Sequence, residues 1–178
     1  MGCINAISQF YLKKCGFAFD YTTDSLGLLN IEPNETIGMV GFFPSLVKLL
    51  EKKGNELIII EQKKELIERK KNWMVTLDPG QLHSCNKILI TSTTIMNDTI
   101  DELLHFCSNA QRLSIIGPTA GFLPDPLFKR KIYVIGGTYV HNTDLFIDAI
   151  KNNLKWSSTI KKYTIEQEKY LGYRELMV

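Results

Sequence analysis

Residues 89–104 read LITSTTIMNDTIDELL, and they concentrate hydroxyl and amide side chains at one point of the chain. Thr91, Ser92, Thr93 and Thr94 end an apolar run, and Asn97, Asp98 and Thr99 lead into a helical pattern. Such groups donate and accept hydrogen bonds without breaking covalent ones, so the chemistry they suit is the holding of a polar ligand. The competing role is local, because Asn and Thr bond their own backbone readily. For Thr94 and Asn97 both roles stand. For Gly117 and Pro118, in the GPT that also contains Thr119, a turn role alone is the favoured reading.

Bond-breaking chemistry has thinner support. No G-x-S-x-G elbow is present, and none of the three histidines falls at a strong strand end. The acids expected near a crevice are Asp24, Glu61, Asp98 and Asp125, of which Glu61 and Asp98 are the candidate acid/base groups. Asp98 also suits support of a helix start. Two His-x-Cys pairs, His83/Cys85 and His105/Cys107, carry zinc-ligand types. The second lies on a predicted helix, where i and i+2 point about 200° apart. Neither has a C-x-x-C companion, so no metal site is expected.

Composition narrows the classes. The chain has 178 residues, 44% hydrophobic and 22% charged, with net charge +2. That balance suits one globular domain and gives no electrostatic footprint for nucleic acid. No apolar run reaches the ~18 residues of a membrane span, and the N-terminus lacks a basic-then-apolar leader, so a cytoplasmic protein is expected. Four cysteines suit reduced thiols better than a disulfide frame. MGCINA places Gly2 and Cys3 where double acylation occurs, but Ala6 stands where the pattern wants Ser or Thr.

These residues must be positioned by alternating elements. Ile4, Ile7, Phe10, Tyr11 and Cys15 repeat at helical spacing up to Gly16. Buried strands are predicted in TIGMVGFF, NELIIIE, KILITST, RLSIIGPT and KIYVIGGTYV, with WMVTLD as a weak edge strand. Helices are predicted in PSLVKLLEKKG, KKELIERKK, DTIDELLHFCSN and NTDLFIDAIKNNLKW, with a short helical piece in DPLFKRK. Lys and Glu alternate in runs such as EQKKELIERKK, which read as solvated helix faces. Continuous Ile/Val/Leu strands between helices predict a Rossmann-like three-layer α/β/α fold with a mostly parallel sheet of five or six strands. The expected organisation is a linking helix and irregular segment at 1–32, the Rossmann-like domain at 33–155 and a tail at 156–178.

In such a sheet ligands bind beyond the carboxyl ends of the strands, where strand order reverses. If the first strand neighbours the KILITST strand, the Gly41 turn and the Thr91–Thr99 loop face each other there. Helix N-termini and hydroxyls at that point suit an anionic or polyhydroxy ligand. A dinucleotide fits poorly, since Gly38-x-x-Gly41 lacks the paired glycines of G-x-G-x-x-G and Phe42-Phe43 would crowd a pyrophosphate. Glu61, at ribose-gripping distance along the chain from Gly41, keeps an adenosine-like group open.

TIGMVGFFPSLVKLL, ITSTTIMNDTIDELL, IIGPTAGFLPDPLF and VIGGTYV resemble, in order and spacing, segments of the "putative heavy-metal chelation" domain family, long carried as a domain of unknown function. INAISQF is similar to the helix that precedes that domain. The resemblance covers roughly residues 3 to 150. It implies a Rossmann-like fold, an enolase-N-terminal-like domain ahead of it, and a site between the two. It also implies handling of heavy metals or of flavin-, pterin- or siderophore-like molecules. The sequence in hand starts at the linking helix, so residues from the preceding domain are expected from elsewhere, such as a partner subunit. Ser92 stands where the family usually has Gly.

The expected ligand contacts are Gly41, Phe42, Thr93, Thr94, Asn97, Thr99, Gly117, Pro118 and Thr119, with Phe42 against a flat ring. The ligand itself, and any cofactor, stay unknown. The alternatives are a transferase or hydrolase acting on a pterin- or nucleoside-like molecule, and a non-catalytic subunit completing a site on a partner. The apolar stripe of Ile4, Ile7 and Phe10 must be covered, by the chain's own tail at Tyr163 to Val178 or by a second copy, and predicts a homodimer, or a partner subunit, with the first helix or the tail in its interface.

Overall fold

A computed structural model describes residues 1–21, 26 and 28–176. Asp24 therefore lies outside the described residues. Helix α1 (Gly2–Lys14) comes first. Then follow β1 (Thr36–Val40), α2 (Pro44–Lys53), β2 (Glu56–Ile60), β3 (Glu68–Arg69), β4 (Trp73–Thr76) and β5 (Lys87–Thr91). Next come α3 (Thr93–Met96), α4 (Ile100–Phe106), β6 (Arg112–Ile116), α5 (Asp125–Phe128), β7 (Val134–Val140) and α6 (Thr143–Lys151). β8 (Ile160–Glu166) and α7 (Tyr173–Leu176) close the described chain.

The strands form one mixed sheet of eight, in the order β3-β4-β2-β1-β5-β6-β7-β8. The six from β4 to β7 pair in parallel, and β3 and β8 add antiparallel edges. The expectation of five or six strands is corrected by these two edges. KKELIERKK was expected to be helical, but it makes a 3-10 turn at Lys64–Leu66 and then β3. Its charged residues need bury only one backbone edge, which β4 supplies. β4 is thus internal, not the edge expected of WMVTLD. The tail has no clear alternation of its own, yet Ile160–Glu166 pairs along the whole of β7.

Both faces of the sheet are buried, which is why its strands read as apolar runs rather than alternating ones. Ile37, Met39, Leu57, Ile59 and Leu89 pack with Leu46, Val47 and Leu50 of α2 on one face. Ile88, Ile90, Leu113, Ile115 and Ile135 pack with Leu12, Leu103 and Phe128 on the other. Gly38 is a close packing point, since an added Cβ would lie 2.9 Å from Ile88 and Leu82.

Candidate functional site

Strand order reverses between β1 and β5, whose Val40 and Ile90 lie in register at the carboxyl ends. The Gly41 turn and the loop after β5 therefore face one another. Between them lies a cleft of about 570 Å³, within the range of small-molecule sites. Gly41 turns the chain with φ +90, and its Cα faces Thr91, whose Cγ2 would lie 3.1 Å from an added Cβ. Phe42 and Phe43 follow it on the wall, and Pro44 starts α2.

Glu61 stands just past β2 and lines the cleft. Its Oε2 accepts the Phe42 N–H at 3.1 Å and its Oε1 accepts the Gln62 N–H at 2.8 Å. The carboxylate thus ties the end of β2 to the turn after β1. Its remaining lone pairs are the ones a ligand hydroxyl could meet.

On the opposite wall, α4 begins at Ile100, close to the start expected at Asp98, but the short α3 precedes it and Asn97-Asp98 separate the two. Asp98 adopts φ 58, is exposed and does not line the cleft. Thr91, Thr93, Thr94, Asn97 and Thr99 do line it. Thr94 is buried and donates to the Thr91 carbonyl at 2.8 Å, a local bond that fixes the loop. The Asn97 amide nitrogen, turned toward the Thr93 and Thr94 carbonyls at 3.1 and 3.0 Å, closes α3 and reaches Thr99 Oγ1 at 2.8 Å. Local capping therefore occupies Thr94 and Asn97. Thr93 is exposed and accepts from Thr91 Oγ1 at 3.2 Å, leaving its own proton to donate into the cleft.

Gly117, Pro118 and Thr119 sit one strand over and are not among the residues lining the cleft. Thr119 Oγ1 shares a 2.5 Å hydrogen bond with Ser92 Oγ, and its carbonyl accepts from Asn5 of α1 at 2.9 Å. Asp125 likewise lies elsewhere, accepting from Tyr170 Oη at 2.8 Å and from the Tyr173 N–H at 3.0 Å.

Sequence reasoning missed Glu102, in the first turn of α4, which joins Glu61 on the cleft wall. The signal available was its position four residues after Asp98 at the predicted helix start. Among the described lining residues the charged ones are these two glutamates, with no Lys, Arg or His beside them. The lining therefore favours a neutral polyhydroxy or cationic ligand over the anion that the helix ends alone would suggest.

The members of the second His-x-Cys pair point apart, as its helical spacing implies. His105 Nδ1 bonds the Asp101 carbonyl at 2.8 Å on the surface, while buried Cys107 donates to the Leu103 carbonyl at 3.2 Å. His83 is exposed and Cys85 buried. Burial pushes the Cys85 thiol up to about 11 and the Cys107 thiol up to about 12. No group of three or more His, Cys, Asp or Glu residues able to hold a metal occurs among the described residues.

A second groove, about 730 Å³, runs between α1, the α3–α4 wall and α5. Its walls are largely apolar, with Ile4, Ile95, Phe122 and Leu127 among them. The outer stripe of α1 beside it, Ile4, Ile7 and Phe10, is exposed.

Comparison with known proteins agrees with this fold. The model of the family described as "Putative heavy-metal chelation" matches residues 24–167. An uncharacterized protein of Methanocaldococcus jannaschii is 28% identical over 172 residues, 94% of this chain and 65% of that protein. A crystal structure of a family member of unknown function from Pyrococcus horikoshii superposes with TM-score 0.72 at 26% identity, over 92% of this chain and 65% of the other. A member from Desulfitobacterium hafniense gives TM-score 0.61 over 75% of this chain and 53% of the other; at 24% identity that likeness speaks for the fold alone. The chain thus spans about 65% of the length of the first two relatives.

Proposed function

From the premise that the chain belongs to the "Putative heavy-metal chelation" family, we propose that its β1/β5 cleft binds a small, flat, hydroxyl-bearing molecule of the metal-chelator type. Flavin-, pterin- and siderophore-like compounds are the class meant. The observation that carries the reading is the lining itself: Phe42 and Phe43 beside the Thr93 hydroxyl, Glu61 and Glu102, with no cation among the described lining residues. A bare heavy-metal ion fits these residues poorly, because two carboxylates and several hydroxyls offer it no imidazole or thiolate. A metal would arrive as cargo already held by its chelator. Phe42 packs against the ring, Thr93 donates, and Glu61 accepts a ligand hydroxyl. Gly41 lets the ring approach the backbone, and Thr94, Asn97 and Thr99 hold the loop in shape. Gly117, Pro118 and Thr119 support the wall through Ser92.

The alternative is a transferase or hydrolase acting on a pterin- or nucleoside-like molecule. Glu61, with its place in the cleft, favours that reading as acid/base; Asp98, outside the lining, does not. A third element concerns partners. The exposed α1 stripe and the adjoining apolar groove support a second polypeptide surface laid over α1, a second copy or a separate subunit. Asn5 bonds the turn after β6, so such a body would reach the same edge of the sheet as the cleft. The four free cysteines suit a reducing cytoplasm, and no helix among the described residues is long and apolar enough to cross a membrane.

Native mass spectrometry of the purified protein, with fluorescence titration of riboflavin, neopterin and a hydroxamate siderophore with and without ferric iron, tests the proposal. The Trp73 ring lies 6.2 Å from that of Phe42, so a ring in the cleft should quench it. Quenching lost in Phe42→Ala and weakened in Thr93→Val is expected. No co-purifying molecule and no quenching by any probe would overturn the reading. Release of a product mass from a bound probe, abolished in Glu61→Gln, would favour the enzyme instead.

A further inference from the structure

The cleft is longer than the two turns that face each other across it. The carboxyl ends of four neighbouring strands line it: Leu77 and Pro79 follow β4, Glu61 follows β2, Gly41 follows β1 and Thr93 follows β5. Three gaps of roughly 4.8 Å between strands make this row about 14 Å long. A ring system and a second, hydroxyl-bearing group fit along it end to end. The β4 end is apolar, with Leu77 and Pro79, and Phe42 leans toward it, its ring 6.2 Å from that of Trp73 in β4. The β5 end carries the Thr93 hydroxyl and the Glu102 carboxylate.

Glu61 stands in the middle of the row. The Phe42 and Gln62 N–H groups each hold one of its oxygens. The plane of the carboxylate is thereby fixed, and each oxygen keeps a lone pair for a ligand. Two acceptors side by side match two hydroxyls on adjacent carbons, as in the cis-diol of a ribose. A flat ring belongs in the apolar end, one strand away, so it is a sugar rather than a ring edge that meets the carboxylate.

The same bonds decide against a phosphate. In a dinucleotide site the N–H groups of the glycine turn and of the helix start receive the pyrophosphate. Here the Gly41 N–H goes to the Ile60 carbonyl at 2.9 Å, the Phe42 N–H goes to Glu61, and Pro44 at the start of α2 has none. Glu102 adds a negative charge at that end, and no cation among the described lining residues offsets it.

We infer that the cleft binds a ribonucleoside that carries no 5′-phosphate. The base lies between Phe42 and the Leu77–Pro79 turn, the 2′,3′-diol donates to Glu61, and the 5′ carbon points toward Thr93 and Glu102. A neutral 5′ group meets the Thr93 hydroxyl, and a cationic one is attracted by Glu102. The inference rests on the reading of the cleft as the site of a flat, hydroxyl-bearing molecule and specifies the nucleoside-like ligand of its alternative.

Isothermal titration calorimetry of the full chain with adenosine, guanosine, cytidine and uridine tests it. Each that binds is followed by its 2′-deoxy, 5′-monophosphate and 5′-amino-5′-deoxy forms. At least one ribonucleoside should bind. Its 2′-deoxy form should bind about tenfold more weakly, because an acceptor of the site is left unpaired. Its 5′-monophosphate should also bind about tenfold more weakly, through repulsion by Glu102, and its 5′-amino form at least as tightly as the parent. Glu61→Ala should weaken the ribonucleoside and remove most of the ribo-to-deoxy difference, which a purely structural role of Glu61 would leave in place. Glu102→Gln should bring the monophosphate closer to the parent. No nucleoside binding while riboflavin or neopterin still binds overturns this inference alone; no binding by any of these probes overturns the cleft reading with it. A deoxy form or monophosphate that binds as tightly as its parent overturns it too, and a ribo-to-deoxy difference that persists in Glu61→Ala overturns the pairing of the diol with Glu61.

Discussion

The carboxylate of Glu61 accepts the main-chain N–H of Phe42 at 3.1 Å, so two adjacent parallel strands are tied together at the mouth of the cleft. The same carboxylate accepts the Gln62 N–H at 2.8 Å. Glu61→Ala removes both acceptors and should cost about 1 kcal/mol, the low end for bonds to a charged group because the site is partly exposed. Glu61→Gln keeps one oxygen and should cost less. Urea melts read the ordering: the midpoint falls Ala below Gln below native, with unchanged slope. Equal midpoints for all three would show that the tie contributes nothing.

Thr93 and Thr94 are neighbours with different duties. Buried Thr94 donates to the Thr91 carbonyl, and Thr94→Val strands that carbonyl at a cost of about 1 kcal/mol. Thr93 is exposed, so Thr93→Val should change stability by under about 0.5 kcal/mol. Its effect should appear in binding instead, as roughly tenfold weaker quenching by whichever probe binds the native cleft. If Thr94→Val is silent in melts and Thr93→Val is destabilising, the two roles are reversed.

The cleft was legible because it follows from local pattern. Apolar runs give parallel strands, turn residues mark the strand ends, and setting the first strand beside KILITST gives the switch point. The hydroxyl cluster at 91–99 could be placed on that frame without knowing a single contact. The edges were not legible in the same way. β3 has only Glu68 and Arg69, whose strand state is imposed by β4, and β8 is a strand because β7 offers it an edge. Glu102 escaped because a glutamate in a helix's first turn ordinarily serves the dipole; only the break at Asn97-Asp98 sets that turn against the cleft. Thr119 was misleading for a similar reason. Its hydroxyl is as polar as that of Thr93, but Ser92, at the end of the neighbouring strand, takes it up.

That Ser92 contact makes a coupled pair with Gly117. Gly117 has φ +150, and a Cβ there would collide with Ser92 Oγ. Gly117→Ala should therefore destabilise by about 1–3 kcal/mol, from strain and overpacking together. Ser92→Gly removes the colliding atom, so the double variant should recover part of the loss. A double-mutant cycle on thermal melts gives the coupling, and strictly additive effects would show that the collision is relieved by backbone movement instead.

The buried thiols should make the fold sensitive to alkali. Burial raises Cys85 to about 11 and Cys107 to about 12, with Cys85 adding to the rise at Cys107, and burial raises Tyr163 to about 12. In the unfolded chain these groups ionise near their ordinary values, roughly 8.5 for Cys and 10 for Tyr. Above those values the unfolded state holds fewer protons than the native one, so stability falls as pH rises. The contribution is complete below about pH 8.5 and is lost progressively toward pH 12. Urea midpoints should thus stay level from pH 7 to 8.5, as far as these groups are concerned, and fall above it. Cys107→Ala should lessen the fall even though it lowers the plateau by leaving a cavity. In the native protein at pH 8, a thiol reagent should label exposed Cys3 quickly and reach Cys85 and Cys107 only on unfolding. Rapid labelling of all four cysteines, or a midpoint indifferent to pH up to 11, would show that these thiols are not held inside the sheet-and-helix core.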